Sequence, residues 1–477
     1  MPPSTAPLDH LAADQDHALT RLKQLLAIPS VSTDRAFEPQ VHAAAAWVAS
    51  YCEELGMSVE VLQPAGPKGE KGHPIIVART TPKMVADDAK NRVLFYGHYD
   101  VQPPDPADLW SSPPFVPTVR EGKIFARGAS DDKGQVMCFL EALRAYHATE
   151  TPLPCHVSVL IEGEEECGSV SLPAFLEKHA SLLETDARTV CVVSDTSMWE
   201  APAGSDPPYL PAITYALRGL VYFDIKLHGP SRDLHSGVYG GTLANPATQL
   251  VRVLGKLLDD QQRITIPGFY DDVLPLTDDE NAAWQKLDFN EHDFTGEVDS
   301  LPFGEKDFST LERRWVRPSC DVNGLYGGYM GQGAKTVIPS FAGAKVSFRI
   351  PAAMDPANVT RRFTDWLHQH DTGGCRWDIA NHGEAHPVAT PTDSPWVLAA
   401  AKAIEQSAGR APALVREGAT IPVISDFKQQ LDIDTLLIGF GLNSDNIHSP
   451  NEHLALDRFH LGCRTHATLL EHLASAP

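Results

Sequence analysis

Short apolar runs alternate with helical stretches through the first part of the chain, and this alternation restricts the fold more than any other feature. Helical spacing covers 8–27 and 38–55, and strand-like runs read "SVEVL", "HPIIVAR", "RVLFYGHYD", "CHVSVLIEG" and "TVCVVSD". Strands interleaved with helices predict an α/β fold around a mostly parallel central sheet. Near residue 212 the texture changes. "ITYALRGLVYFDIKLHG" and "AGAKVSFRI" alternate as strands with one solvated face, and Asn245-Pro246 and Asp355-Pro356 open helices as cap and first helical residue. An acidic section at about 270–312 reads as irregular. From about 388 the α/β texture returns, with a helix opened by Ser394-Pro395, a buried strand in "DTLLIGFG" and a closing helix. The simplest architecture is an α/β domain in two parts, 1–212 and 388–477, interrupted by an inserted α+β domain at 213–387.

A formal charge of -23 over 477 residues argues against nucleic acid or an anionic membrane surface as partner, since both require basic patches. The chain shows no secretory leader pattern and no apolar run of membrane-spanning length. Its eight cysteines include no CxxC pair, a usage that fits reduced thiols in the cytoplasm.

The apolar runs end in metal-ligating side chains. His98 and Asp100 follow one strand, Glu164, Glu165 and Glu166 another, Asp195 a third and His448 a fourth, while Asp131 and Asp132 stand on a Gly-flanked loop before a helix. Carboxyl ends of strands in open α/β sheets are where ligands bind. Three adjacent glutamates at a buried strand end repel one another unless cations lie between them and their neighbours. Two imidazoles and three carboxylates suit Zn²⁺, with Mn²⁺ or Co²⁺ as alternatives. Five ligands exceed one tetrahedral catalytic zinc and suit two metals about 3.5–4 Å apart.

The motifs "GHYDVQP", "ARGASDDKG", "EGEEECGS", "VVSDTS", "RDLHSGVYGG", "GAKTVIPS", "VSFRIP" and "IHSPNEH" occur in the order seen in a di-zinc metallopeptidase family. That family includes carnosinase, cytosolic non-specific dipeptidase, glutamate carboxypeptidase and peptidase T. The chain resembles its dipeptidase branch most. The resemblance implies that His98 and Asp195 hold one metal, Glu166 and His448 the other, and that Asp131 bridges them, with a cis peptide between Asp131 and Asp132. Asp100 would fix the His98 tautomer. Glu165 would act as general base toward a metal-bridging hydroxide, and Glu164 would be a solvated bystander.

The resemblance further implies a ferredoxin-like insertion that serves as lid and dimerisation domain. His235 on it would reach the active site of the partner subunit in a homodimer and stabilise the oxyanion. Arg349 would grip the substrate's free carboxylate, with Thr336, Asn323, His382 and Thr420 as further substrate contacts. Thr420 stands in "REGATIPV", where the family usually has Gly-Ser in place of Ala419-Thr420. The expected activity is hydrolysis of unblocked dipeptides. Alternatives are an N-acyl-amino-acid deacylase or carboxypeptidase with the same metal site, or a catalytically silent metal-dependent binding protein.

Overall fold

Nine strands form one mixed sheet in a computed structural model that describes residues 5–66, 69–202, 204–296 and 298–476. Its centre is the parallel set His156–Glu162, Arg92–His98, Thr189–Val193 and Asp434–Leu437. The helices Lys133–Ala148 and Leu172–His179 lie in the crossovers that parallel pairing requires. Toward one edge the sheet turns antiparallel through Ile75–Arg79 and Ser58–Leu62. Toward the other, Ala212–Leu217 pairs antiparallel with Asp434–Leu437 and Val388–Ala389, and parallel with Ala413–Glu417. The parallel expectation therefore describes the centre of the sheet. The strand pair at the first edge is joined without a helix, so it returns antiparallel.

Lys133–Ala148 is buried over nearly its whole length, because it lies under the sheet and is covered in turn by Leu456–Ala474. Its Phe139 ring stacks on Phe95 of the central strand with centroids 4.0 Å apart. The helix that starts one residue after Asp132 is thus anchored along its length, and so is the loop before it.

A second, four-stranded antiparallel sheet has the order Ser319–Gly327, Phe341–Ile350, Gly219–His228, Arg376–Ala385. With helices Pro246–Leu254 and Pro356–His368 this is the ferredoxin-like arrangement. The caps are those expected: Asn245 Oδ1 accepts from Ala247 N and Asp355 Oδ1 from Ala357 N, both at 2.9 Å. One face packs Val221, Phe223 and Ile225 against Leu250, Phe363 and Leu367. The other face carries Asp224, Lys345, Arg349 and His382, none of them fully buried. The chain passes from the large sheet to the small one at Arg218, a few residues beyond 213, and returns between Ala385 and Val388.

The acidic section departs from expectation. It contains the helices Asp278–Gln285, Glu291–Gly296 and Thr310–Trp315, and Trp284, Leu287 and Trp315 pack on Ala212, Ala413 and Val415 of the large sheet. Helices this short show too few turns for apolar periodicity to register. Their capping boxes were the readable signal: Thr277 with Glu280, and Ser309 with Glu312. Among the described residues no helix is long and apolar enough to cross a membrane.

Candidate metal centre

The parallel direction of the central strands brings their carboxyl ends to one edge, and the acidic and imidazole side chains meet there. His98 is the last residue of its strand; the glutamates follow Glu162, Asp195 follows Val193, and His448 follows the loop after Leu437. His98, Glu165 and Asp195 offer ligand atoms within 4.8 Å of one another, and so do Asp131, Glu166 and His448. Asp131 stands between the two groups. Its Oδ1 lies 3.1 Å from His98 Nε2 and its Oδ2 2.9 Å from His448 Nε2. His448 Nε2 also lies 3.2 Å from Glu166 Oε2, and His98 Nε2 3.8 Å from Asp195 Oδ2. All five expected ligand residues come together, and the peptide between Asp131 and Asp132 is cis.

The charges at this edge do not balance without cations. Burial, with the charge of Asp131 beside it, pushes the Asp195 carboxyl up to about 7. Burial also lifts Glu165 and Asp132 well above the carboxylate range, His98 offsetting part of the effect and the neighbouring carboxylates adding to it. Burial alone would lower His98, yet Asp100, Asp131 and Asp195 drive it well above its ordinary value. Hydrogen bonds to Asp131 and Glu166 raise His448 to about 10. Divalent cations among these atoms would neutralise the carboxylates and leave both imidazoles neutral, the form that ligates metal. The donor set fits two such ions.

Supporting contacts hold the donors in place. His98 Nδ1 lies 3.1 Å from the Asp100 main-chain carbonyl and 3.3 Å from its carboxylate. The hydrogen bond goes to the carbonyl, so the contact expected of the Asp100 side chain is made by its backbone. Its Oδ2 accepts from Glu166 N at 3.1 Å. Gln102, in the "HYDVQP" motif, donates through Nε2 to Glu166 Oε2 at 2.8 Å. Glu164 is not the solvated bystander expected. It is 6% exposed, and its two oxygens accept from His73 N and Ser171 N at 2.9 and 3.0 Å. A carboxylate that spans two backbone segments had no signature in sequence, because His73 is distant along the chain.

The remaining expected residues fall into separate groups. Arg349 Nη1 donates to Thr420 Oγ1 at 2.7 Å, and Thr420 Oγ1 donates to the Arg218 carbonyl at 2.6 Å. His235 pairs with Val337 across a two-residue ladder, next to Thr336, whose carbonyl accepts from Ser236 N at 3.1 Å. Asn323 is exposed at a bulge, and His382 Nε2 lies 3.8 Å from Asp224 Oδ2. No contact among the described residues links His235, Asn323 or His382 to the metal centre of the same chain. A cavity of about 520 Å³ is lined by Ser197, Asn443 and Glu417 and walled by Trp199, Phe289 and Trp315; none of the five ligand residues lines it. The acidic section therefore supplies part of its wall.

Residues 94–472 match the family described as peptidase family M20/M25/M40. The chain is 34% identical to the Cys-Gly metallodipeptidase DUG1 of Candida albicans, over 96% of this chain and 95% of that protein. It is 33% identical to the human beta-Ala-His dipeptidase, over 92% and 86% of the two chains. Among solved structures it is similar to human carnosine dipeptidase 1, with TM-score 0.81 and 31% identity over 99% of this chain and 100% of that one. The M20 family metallo-carboxypeptidase Sso-CP2 of Sulfolobus solfataricus matches with TM-score 0.81 and 30% identity, covering 96% and 99%. Sequence, architecture and the arrangement around Asp131 agree: this chain belongs to peptidase family M20/M25/M40.

Proposed function

We propose that the chain hydrolyses the peptide bond of unblocked dipeptides, using His98, Asp195, Glu166 and His448 as ligands to two divalent cations, with Asp131 shared. The observation that carries this reading is the position of Asp131, one oxygen toward each imidazole, in a chain similar along its length to dipeptidases. Zn²⁺ suits the mixed imidazole and carboxylate set, with Mn²⁺ or Co²⁺ as alternatives. When bound, the cations supply the positive charge that polarises a scissile carbonyl and acidifies the attacking water.

The chain's own residues perform the rest. Glu165 takes the proton of the attacking water and passes it to the leaving amine, from a position that brings a carboxylate oxygen within 4.8 Å of the His98 and Asp195 ligand atoms. His235 accepts from Gly237 N through Nδ1 at 2.9 Å, so the neutral ring carries its proton on Nε2 and presents a donor outward. That donor serves the oxyanion in the partner subunit of a homodimer. Val238, Tyr239, Leu243 and Met330 on the same arm are exposed apolar side chains that such a partner would cover. Arg349 and Thr420 receive the substrate's free carboxylate, and Thr336, Asn323 and His382 complete the substrate contacts when the 213–387 insertion closes as a lid. All eight cysteines are free thiols, in accord with a cytoplasmic location.

The similarity to a metallo-carboxypeptidase supports a second reading, in which acylated or longer substrates are cleaved at the same centre. The deciding experiment compares an unblocked dipeptide with its N-acetyl counterpart before chelation, after it, and after return of Zn²⁺ or Mn²⁺. Metal-dependent cleavage of the free dipeptide alone is expected. Preference for the acetylated substrate would move the protein to the second reading.

A further inference from the structure

Two buried acid–arginine pairs grip the loop that carries Asp131, and their acids stand on either side of His448 in sequence. Glu452 is fully buried. Its Oε2 accepts from Arg127 Nη1 at 2.7 Å and Gly128 N at 3.0 Å, and its Oε1 from Ser130 N at 2.9 Å and Asp131 N at 3.1 Å. Asp445, 1% exposed, is bound by both terminal nitrogens of Arg458 and by Leu442 N at 2.8 Å. Its Oδ2 also accepts from Ser130 Oγ at 3.2 Å. Buried charges of this kind contribute little net stability and are weak evidence of a purely structural purpose. These two converge on a single five-residue stretch, Arg127 to Asp131.

We infer that Glu452 and Asp445 are positioning residues, which hold the loop of Asp131 in register with His448 and so set how tightly the Asp131–Glu166–His448 position binds its cation. The inference rests on the ligand roles proposed above. His448 is 52% exposed in its side chain and has a left-handed backbone, φ 60°. It has little packing of its own to place its ring 2.9 Å from Asp131. The neighbours on its segment supply that placement: Asp445 three residues before it and Glu452 four residues after it are both tied to the Asp131 loop. Supporting hydrogen bonds of this type, when removed, typically cost about 10- to 100-fold in metal affinity.

The test counts and titrates Zn²⁺ on the full chain by elemental analysis and chelator competition, without reference to turnover. The wild type is expected to hold two ions per chain. Glu452→Gln should lose one of them at a free Zn²⁺ concentration that saturates the wild type. Ser130→Ala removes only the link to Asp445 and leaves no buried charge unpaired. It should weaken the same ion several-fold with the melting temperature of the metal-free protein unchanged. Glu141→Gln is the structural control. Glu141 is equally buried and pairs with Arg21 at 2.6 Å and the Tyr51 hydroxyl at 2.6 Å, two turns into the helix Lys133–Ala148 that follows the Asp131 loop. It should lower the melting temperature and keep both ions. Two ions bound with wild-type affinity in both Glu452→Gln and Ser130→Ala would overturn the inference while leaving the metal centre standing. Fewer than two ions on the wild type would overturn both.

Discussion

Arg349 Nη1 meets Thr420 Oγ1 at 2.7 Å, a hydrogen bond between the small sheet and the loop after a strand of the large one. The guanidinium is partly buried, yet it faces a hydroxyl and no carboxylate lies within salt-bridge distance among the described residues, so its capacity for a bidentate anion is unused. Arg349→Met is expected to raise KM for a dipeptide roughly 10- to 100-fold, with a smaller change in kcat, as loss of a charge-assisted contact made before the transition state would. Arg349→Lys should not restore it, because an ammonium cannot form the fork. The check is the ratio of rates on a free dipeptide and its C-terminal amide. A variant that still discriminates the two as the wild type does would remove Arg349 from carboxylate recognition.

Glu165 shares its donor group with His98 and Asp195, so geometry alone allows it to ligate as well as to act as base. Glu165→Gln separates the two roles. The proposed base predicts two retained cations and turnover reduced by about 10²- to 10⁴-fold. A fall in cation count would make Glu165 a ligand instead.

His235 and Glu165 variants should complement each other. His235→Ala alone is expected to cut turnover and leave the metal content unchanged. Mixed with Glu165→Gln under conditions that exchange subunits, it should recover part of the activity, since one site of each mixed dimer then has both residues. No recovery despite demonstrated exchange would place the oxyanion donor within the same chain.

Acid stability should depend on a histidine outside the centre. His466 is fully buried against Phe95, Phe139 and Phe440, with Nε2 2.9 Å from Ser194 Oγ, and burial pushes its pKa down to about 3. Its folded pKa lies below the unfolded value of about 6.5, so the unfolded chain binds the proton first. The ring therefore costs nothing above about pH 6.5. Stability falls by about 1.4 kcal/mol per pH unit as pH drops toward 3. Denaturant titrations of wild type and His466→Phe across that window should show a flatter profile in the variant; parallel profiles would contradict the assignment.

Much of this protein was legible along the chain because the relevant physics is local. Alternation of period two and the proline-led caps at Asn245, Ser394 and Asp355 depend on neighbours a few residues apart. So does the placement of His98, the three glutamates and Asp195 just past apolar runs, since a strand end is a local event. The capping boxes of the acidic section were equally local, and the packing of Trp284 and Trp315 gave those short helices a surface to bury.

What tertiary structure alone decided is which distant groups share one environment. Glu164 ties Gly72–His73 to the start of a helix, and Glu452 and Asp445 clasp a loop more than 300 residues away. Their charges are stable only because folding supplies backbone amides and guanidinium groups where water has been excluded. The sheet direction likewise sets four strand ends against one another, and only there does an excess of carboxylate become a demand for cations. Residue order determined what chemistry the chain could carry; the closing of long loops in a water-poor interior determined where it is carried out.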